Sequence, residues 1–307
     1  MSVTVRVPAK VNVQLAVGAA RPDGFHDLAN VFLAVGLYDE ITVTPAAPGD
    51  GVHVTCDGPD AALVPLDGTN LAARAAEALA ARYGRRPDVR IHIAKDIPVA
   101  GGMAGGSADG AGALVACDAL WGTAAPRREL LDICAELGSD VPFSLLGGAA
   151  LGTGRGEKLT ALDVGGVFHW VFAMADRGLS TPAVFREFDR LAEGRDVPAP
   201  VASRPLLDAL AKGDPDALAA AVSNDLQPAA LSLFPALADT LAAGTAAGAL
   251  TALVSGSGPT TAFLARDAES AVKVADVLRV SGTCRSVRTA SGPAQGATLI
   301  PRERAGV

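Results

Sequence analysis

The first 56 residues of the chain alternate hydrophobic and polar positions in four short runs. These runs read SVTVRV, VNVQLAV, DEITVTP and GVHVTC, and Gly, Pro and Asp stand between them. Successive side chains of a strand point to opposite faces, so a period of two predicts strands. The N-terminal region is therefore predicted to be rich in β-structure.

A helical period follows, and another strand comes after it. In GTNLAARAAEALAARYG, Leu71 and Leu79 lie on one face with several alanines, which predicts a helix. The next stretch, DVRIHIAK, alternates again and predicts a strand whose inward side chains are Val89, Ile91 and Ile93. This strand leads directly into a loop with four glycines in six positions, GGMAGG.

The rest of the chain mixes helical and strand patterns. Helices are predicted at 107–121, 127–137 and 141–146, and strand character returns in GGAALGTGRGEKL. A second region begins near residue 160, with predicted strands in FHWVFAMA, in LTALVSGSGPTTAFLA and near 284–290, and with helices around 181–193, 204–246 and from 267. This order predicts an α/β (α+β) protein of two domains, residues 1–160 and 161–307.

Length and charge narrow the function classes. Half of the 307 residues are hydrophobic, which is enough for two domains with their own cores. The formal charge of -7 and the lack of a basic segment argue against binding to nucleic acid or to a membrane surface. An anionic ligand would therefore need locally placed Lys, Arg or backbone N–H donors.

The apolar runs and the cysteines exclude further classes. The N-terminus has no charged segment followed by an apolar block, and no run reaches the roughly 20 apolar residues of a membrane span, so a cytoplasmic protein is expected. The four cysteines form no CxxC pair, which favours neither a zinc site nor a disulfide framework. Cys117 falls at helical spacing with Leu114 and Trp121 and is predicted to be core.

The glycine-rich segment IPVAGGMAGGSADGA is the main candidate for ligand binding. A strand, a glycine loop and a helix in that order suit a nucleotide polyphosphate, because the N–H groups at a helix start bind anions. Ser107 is predicted to cap the helix. The segment fits neither the Walker A pattern nor GxGxxG. A tight connection that uses small residues only for packing is the alternative.

Other segments carry residues that suit catalysis or binding. Asp140 stands just before a short apolar helix in GSDVPFSLLGG, as a helix cap or as a catalytic group. Lys10 and Asn12 share one face of a predicted strand, where a lone Lys is normally a solvated charge. Phe25 and His26 follow a turn in RPDGFHDL and could pack the end of a hairpin or contact a ligand. The late SGSGPT cluster could donate backbone N–H groups or form an ordinary turn.

The order and combination of these motifs are more specific than any one of them. PAKVN, IPVAGGMAGGSADGA, LGSDVPF and SGSGP, spread from residue 6 to about 265, resemble the motifs of the GHMP small-molecule kinases. The resemblance implies a two-domain GHMP kinase fold. It consists of an ATP-binding, ribosomal-protein-S5-domain-2-like N-terminal domain and a ferredoxin-like C-terminal domain, with the active site between them.

The resemblance also implies an activity. DGFHDL, LGSDVPF and PAKVNVQL are similar to the branch whose members use ATP and Mg²⁺ to phosphorylate the 2-hydroxyl of a cytidylylated methylerythritol, in the non-mevalonate isoprenoid pathway. By position, Asp140 matches the catalytic base and Lys10 its charged partner. An alcohol is a poor nucleophile unless a carboxylate takes its proton, and a neighbouring ammonium favours the ionised carboxylate.

Binding positions are carried over in the same way, while the metal ligands stay unknown. The substrate-contacting positions implied are Asn12, Phe25, His26, Thr181 and Phe185. The ATP-contacting positions implied are Asn70 and Lys95 at the adenine end and, along the phosphate loop, Pro98, Val99, Ala100, Gly101, Gly102, Met103, Ala104, Gly105, Gly106, Ser107 and Ala108.

The sequence departs from the family pattern at two places. The loop ends in AGGSAD, so that Ala108 and Asp109 stand where the family usually has Ser and Asn. A carboxylate near phosphate would repel it unless the carboxylate faces away or binds metal, so the contribution of Asp109 is open. Phe25 stands where Tyr is common, which keeps the ring and loses the hydroxyl.

Three rival interpretations are weighed against this kinase. Another GHMP kinase, acting on homoserine or a mevalonate derivative, would share Lys10 and both glycine clusters but would not need DGFH or Phe185. A nucleotide-sensing module without catalysis would not need both Lys10 and Asp140. An unspecialised α/β domain would require four motifs in family order by coincidence.

Overall fold

The structure, a computed structural model, describes residues 2–301. The strands in that range are β1 (Val3–Ala20), β2 (His26–Pro45), β3 (Val52–Asp57), β4 (Val89–Ala94), β5 (Ala149–Thr153), β6 (Lys158–Leu162), β7 (Phe168–Met174), β8 (Ser223–Asn224), β9 (Thr251–Val254), β10 (Thr261–Ala265), β11 (Ser286–Gly292) and β12 (Thr298–Leu299). The helices are α1 (Leu71–Arg82), α2 (Gly105–Trp121), α3 (Arg127–Leu137), α4 (Val141–Leu146), α5 (Thr181–Ala192), α6 (Arg204–Lys212), α7 (Pro215–Ala221), α8 (Gln227–Leu233), α9 (Leu237–Ala246) and α10 (Ala268–Val280), with a short 3-10 helix at Ala61–Leu63.

The first sheet is built on a long antiparallel hairpin of β1 and β2. Its main strand order is β12-β1-β2-β4-β3, while β5 pairs with β2 and carries β6, and β8 pairs with β1. The pairing of β1 with β2 shifts register between Pro8 and Ala9, just before Lys10. Such an irregularity bends a strand locally and can redirect the side chains that follow.

The middle of β1 is buried on both faces. Every residue from 7 to 15 is buried, including the polar Lys10, Asn12 and Gln14. Helix α2 packs on this strand, and Lys10 and Asn12 line a cavity. A lone lysine on a strand normally points into the solvent. This expectation is wrong for Lys10, which is only 4% exposed.

Helices α1 and α2 cover the first sheet. Strands β3 and β4 pair in parallel because α1 crosses over between them. Helix α2 packs on α1, β1 and β2, and its small residues permit close contact. A Cβ at Gly112 would lie 2.6 Å from Ile41 Cδ1, so any larger residue would push α2 away from β2. Cys117 is fully buried on this helix, as predicted.

The second sheet has four antiparallel strands in the order β11-β7-β10-β9. Along the chain these strands follow the pattern strand, helices, two strands, helix, strand, which is the ferredoxin-like arrangement. Helix α10 packs Val274 and Leu278 against Val171 and Phe263 of the sheet. The expected ferredoxin-like fold of the C-terminal region is confirmed.

Most predicted elements are present, and the differences have local causes. The strands around Ile91 and in FHWVFAMA, and the helices at 127–137 and 141–146, lie where they were predicted. The helical region 204–246 is divided into four helices, because Gly213 ends α6 in a left-handed conformation and prolines start α7 and α8.

The two-residue strands β8 and β12 were not predicted from sequence. Both come from the second half of the chain and join the first sheet, at β1. The domain boundary at residue 160 stays a prediction. No helix among residues 2–301 is long and apolar enough to cross a membrane.

Candidate active site

A cavity of about 580 Å³ opens between β1 and β2 of the first sheet, the start of α2, helix α5 and the loop that joins β9 to β10. We call residues 97–104 the glycine loop and residues 255–260 the late loop, and both border this cavity. Of the residues singled out from sequence, it brings together Lys10, Asn12, Phe25, His26, Pro98, Ala100, Gly101, Gly102, Ala104, Gly105, Gly106, Asp140, Thr181 and Phe185.

A second cavity of about 220 Å³ adjoins the first. Asn70, Lys95 and Val99 line the second cavity, and Ala100 and Gly106 line both. The remaining predicted ATP positions lie outside both linings: Met103 and Ala108 are fully buried in the core, and Ser107 is half-buried on α2. A ligand on Gly106 could therefore reach into both cavities.

Lys10 lies at the centre of the first cavity. Its Nζ donates hydrogen bonds to Asn12 Oδ1 at 2.5 Å and to Gly102 O at 2.8 Å, and it lies 3.7 Å from Asp140 Oδ2. Burial lowers the pKa of Lys10, and the Asp140 carboxylate offsets part of that effect. An ammonium held between a carbonyl and a carboxylate can stabilise negative charge on a group that enters the cavity.

Asn12 and Asp140 differ in how firmly they are held. Asn12 is buried and donates through Nδ2 to Asn30 Oδ1 at 2.6 Å, so its amide orientation is defined by Lys10 on one side and Asn30 on the other. Asp140 starts α4, but its side chain makes no capping hydrogen bond and is 32% exposed. The carboxylate of Asp140 is therefore free to accept a proton from a ligand.

The glycine loop and the late loop touch through their backbones. A Cβ at Gly102 would lie 2.0 Å from Ser255 O, and Gly102 has a φ of +72°. Gly256 has a φ of +59°, and a Cβ there would lie 3.1 Å from both Gly102 O and Asn12 Oδ1. Side chains at these two positions would separate the loops, so both glycines are required by close approach.

Helix α2 starts inside the glycine-rich segment. Ala104 precedes the helix in a left-handed conformation, and no side chain caps it. The prediction that Ser107 caps the helix is wrong, because the helix begins two residues earlier, at Gly105. The first N–H groups of an α-helix have no partner within the helix, so this uncapped start can bind an anion at exposed Gly106.

Two carboxylates hold Lys95 beside the second cavity. Its Nζ donates to Asp39 Oδ2 at 2.5 Å and to Asp109 Oδ2 at 2.8 Å, and all three side chains are buried. Burial alone would lower the pKa of Lys95, but the two carboxylates outweigh it and the pKa is raised. Burial and the nearby Asp39 raise the pKa of Asp109 in spite of the ammonium.

Asp109 is therefore held by Lys95, and it lines the second cavity. Its Oδ1 atom is buried and accepts no hydrogen bond among the described residues. Asp39, which the sequence pattern did not single out, also accepts from the N–H groups of Asp96 and Ile97, at 2.8 and 2.9 Å. It thereby fixes the start of the glycine loop to β2.

Aromatic rings line the far end of the first cavity. The His26 ring lies 5.0 Å from the Phe185 ring, and His26 Nε2 is 2.8 Å from Asp189 Oδ1. Phe25 is half exposed, and the Arg155 guanidinium covers its ring at 5.0 Å. Thr181 Oγ1 is hydrogen-bonded to Ser257 of the late loop at 2.8 Å.

An ion pair between the two halves of the chain holds the glycine loop from behind. Arg285, just before β11, donates to both oxygens of Asp60, at 2.6 and 3.0 Å, and Asp60 Oδ2 also accepts from Val99 N–H at 3.3 Å. The Arg285 guanidinium lowers the pKa of Asp60. These residues are 225 positions apart, so no local sequence signal identifies the pair.

We expect Arg285→Met to loosen the start of the glycine loop. With its ion pair removed, Asp60 should hold Val99 less firmly, and hydrogen exchange over residues 96–104 should accelerate roughly tenfold. Exchange detected by mass spectrometry measures this. Arg266→Met is the matched control, since Arg266 makes a bidentate pair with Asp216 elsewhere. Equal acceleration in both variants, or none in either, would contradict the assignment.

No metal cage accompanies these groups. Among residues 2–301, no three or more His, Cys, Asp or Glu side chains are grouped so that they could hold a metal ion. The metal ligands left unknown from sequence are therefore not supplied by such a cluster in the described part of the chain.

Comparison with known proteins identifies relatives over nearly the whole chain. Residues 70–148 match the GHMP kinases N terminal domain, and residues 206–282 match the GHMP kinases C terminal model. The 4-diphosphocytidyl-2-C-methyl-D-erythritol kinase of Streptomyces coelicolor is 81% identical over 98% of this chain and all of its own length.

Solved structures show the same fold. A crystal structure of 4-(cytidine 5'-diphospho)-2C-methyl-D-erythritol kinase superposes with a TM-score of 0.74 at 33% identity, over 94% of this chain and 98% of that chain. A homoserine kinase from Cytophaga hutchinsonii superposes with a TM-score of 0.73 over 97% of each chain, but at 20% identity it is similar in fold alone. The expected two-domain GHMP kinase architecture is confirmed.

Proposed function

This chain belongs to the 4-diphosphocytidyl-2-C-methyl-D-erythritol kinase family of the GHMP kinases, and we propose that it transfers the γ-phosphate of ATP to the 2-hydroxyl of that cytidylylated alcohol. The reaction belongs to the non-mevalonate isoprenoid pathway. The observation that carries the proposal is the placement of the Asp140 carboxylate and the Lys10 ammonium, 3.7 Å apart, beside an uncapped helix start in one cavity.

In this proposal Asp140 is the base. Its carboxylate, which makes no capping hydrogen bond, accepts the proton of the 2-hydroxyl as the bond from oxygen to the γ-phosphorus forms and the bond from that phosphorus to ADP breaks. Lys10, already held by Asn12 and Gly102, stabilises charge on the groups that react. Phosphoryl transfer depends mainly on positioning and electrostatic stabilisation, so a fixed ammonium and fixed amides suit it.

The nucleotide lies across the two cavities in this proposal. The N–H groups at the start of α2, around Gly106, bind the phosphates, and the base enters the second cavity beside Asn70 and Lys95. Mg²⁺ is part of the proposal. It is commonly held by substrate phosphates with one or two carboxylates, and because Asp140 is assigned as the base, the ATP phosphates would be its main ligands here. When bound, the ion would neutralise charge on the phosphates.

The cytosine end is assigned to the aromatic residues. Phe25, His26 and Phe185 line the cavity, and the His26 ring is hydrogen-bonded to Asp189. Asn12 and Thr181 are assigned to substrate contact as well, on the basis of their place in the cavity. A cytoplasmic location stays a prediction.

The alternative substrates raised from sequence have weaker support. A homoserine kinase and a mevalonate kinase match this chain at 20% and 14% identity. Similarity at that level shows a common fold and does not indicate a common substrate. Relatives that act on the cytidylylated alcohol match at 81% and 78% identity over nearly the whole chain. We therefore retain the cytidylylated alcohol as the proposed substrate.

We expect Asp140→Asn to lower kcat by roughly 10²-fold or more, because the amide cannot accept the proton. The affinity for ATP should change little, and the melting temperature should fall modestly, because Asp140 makes no capping hydrogen bond but supplies the negative charge beside the buried Lys10. Steady-state kinetics, calorimetric ATP titration and thermal melting measure the three quantities.

Asp189→Asn is the matched control for this variant. It removes a second carboxylate that lines the same cavity, but that carboxylate is bonded to His26 at the aromatic end. It should raise KM for the alcohol more than it lowers kcat. Near-normal kcat in Asp140→Asn would exclude Asp140 as the base.

Gly106→Ala should weaken nucleotide binding while it stabilises the fold. A Cβ there meets no protein atom nearer than Leu71 Cδ1 at 4.0 Å, and replacing a helical Gly by Ala stabilises by about 0.5–1 kcal/mol. The same methyl group would occupy the place assigned to the phosphates, so ATP affinity should fall as the melting temperature rises. Gly105→Ala is unsuitable for this test, because its Cβ would lie 2.9 Å from Lys95 Nζ. Unchanged ATP affinity would contradict the placement.

Phe25→Ala and Phe185→Ala should each raise KM for the cytidylylated alcohol by roughly 5- to 100-fold, since stacking of a base on an aromatic ring is worth about 1–3 kcal/mol. Stacking does not distinguish bases, so the uridylylated analogue should lose binding to the same degree. Discrimination between the two bases depends on hydrogen bonds and should persist.

Phe188→Ala is the control for packing on α5. Phe188 contacts the edge of the His26 ring at 6.0 Å but does not line the cavity, so KM should change little. Two results would overturn the substrate assignment: unchanged KM in both cavity variants, or equal turnover of methylerythritol phosphate that lacks the cytidylyl group.

A further inference from the structure

Two arginines line the first cavity without an acidic partner. Arg155 lies in the turn between β5 and β6, and Arg186 lies on α5. Among the described residues, no carboxylate lies within ion-pair distance of either guanidinium, whereas Lys10 in the same cavity has Asp140. Some arginines elsewhere on the surface, such as Arg190 and Arg266, pair with carboxylates.

Unpaired cations on a cavity wall indicate an anionic ligand. The chain carries a formal charge of -7, so carboxylates were available to neutralise these positions. Guanidinium groups present a planar fork of N–H donors that matches the oxygens of a phosphate. Besides aromatic and aliphatic side chains, the lining includes the Asp189 carboxylate, which is hydrogen-bonded to His26, and its Lys and Arg side chains are Lys10, Arg155 and Arg186.

The positions of the two arginines relate them to the aromatic end. The Arg155 guanidinium lies over the Phe25 ring at 5.0 Å, which orients it without neutralising its charge. Arg186 follows Phe185, whose ring contacts His26. The Arg155 guanidinium thus adjoins one of the rings assigned to the base, and Arg186 lines the same cavity, while Lys10 and Asp140 are assigned to the reacting end.

We propose that Arg155 and Arg186 bind the diphosphate of the cytidylylated substrate. This rests on the proposed function, and it assigns the one strongly anionic part of that substrate to two residues that no sequence motif identified. The ligand class is a nucleoside diphosphate with its base on the aromatic rings. The two guanidinium groups would increase the affinity for a ligand that carries the diphosphate. They would not increase the affinity for the nucleoside without it.

The test compares two fragments of the substrate, CDP and cytidine, which differ only in the diphosphate. Calorimetric titration of the whole protein should show that Arg155→Met and Arg186→Met each weaken CDP binding roughly tenfold, while cytidine binding changes less than about twofold. Methionine retains an apolar stem of similar length and removes the charge. Arg186→Lys should restore part of the loss for CDP.

Arg190→Met is the matched control. Arg190 lies on the same helix but pairs with Glu187 and lies outside the cavity lining, so binding of both fragments should be unchanged. Equal loss of CDP and cytidine binding, or no loss of either, would overturn the proposal. So would equal affinity of the wild type for the two fragments, which would leave the proposed function intact. If the wild type bound neither fragment, the proposed function itself would fail.

Discussion

The buried ammonium of Lys10 is the group around which the rest of the site is organised. A charge that is removed from water is costly unless hydrogen bonds and an opposite charge surround it. Asn12, the Gly102 carbonyl and Asp140 meet this requirement, and they come from β1, the glycine loop and the start of α4. Satisfying one cation thus brings three separate segments to one point.

Close approach of two loops completes that arrangement. Gly102 and Gly256 let the backbones of the glycine loop and the late loop meet beside Lys10, where side chains would separate them. Because the late loop belongs to the second half of the chain, the same contact joins the two sheets. The Arg285–Asp60 pair reinforces the junction from the other side. The cavity therefore depends on an interface that both halves of the chain build.

Polar groups on either side of α2 have different roles. On the cleft side, the uncapped N-terminus leaves N–H donors free for an incoming anion, and the Lys10 ammonium adds positive charge beside it. On the inner side, Lys95 is fully engaged by Asp39 and Asp109, so its charge holds the loop and does not compete for phosphate. A chain of net charge -7 can in this way offer a locally cationic cavity.

The sequence alone determined the local elements and the identity of several site residues. The periods around Leu79 and Ile91 predicted α1 and β4, and the order of the motifs pointed to Lys10, Asp140 and the glycine loop. Only the tertiary structure decided that Lys10 is buried, that α2 begins at Gly105 rather than after Ser107, and that Asp109 is bound to Lys95. It alone brought Arg285 to Asp60 and placed Arg155 and Arg186 on one cavity wall. The physical reason is the separation of the residues along the chain. A hydrophobic period reports on residues a few positions apart, whereas these contacts join residues that are distant in sequence and depend on how the two sheets pack.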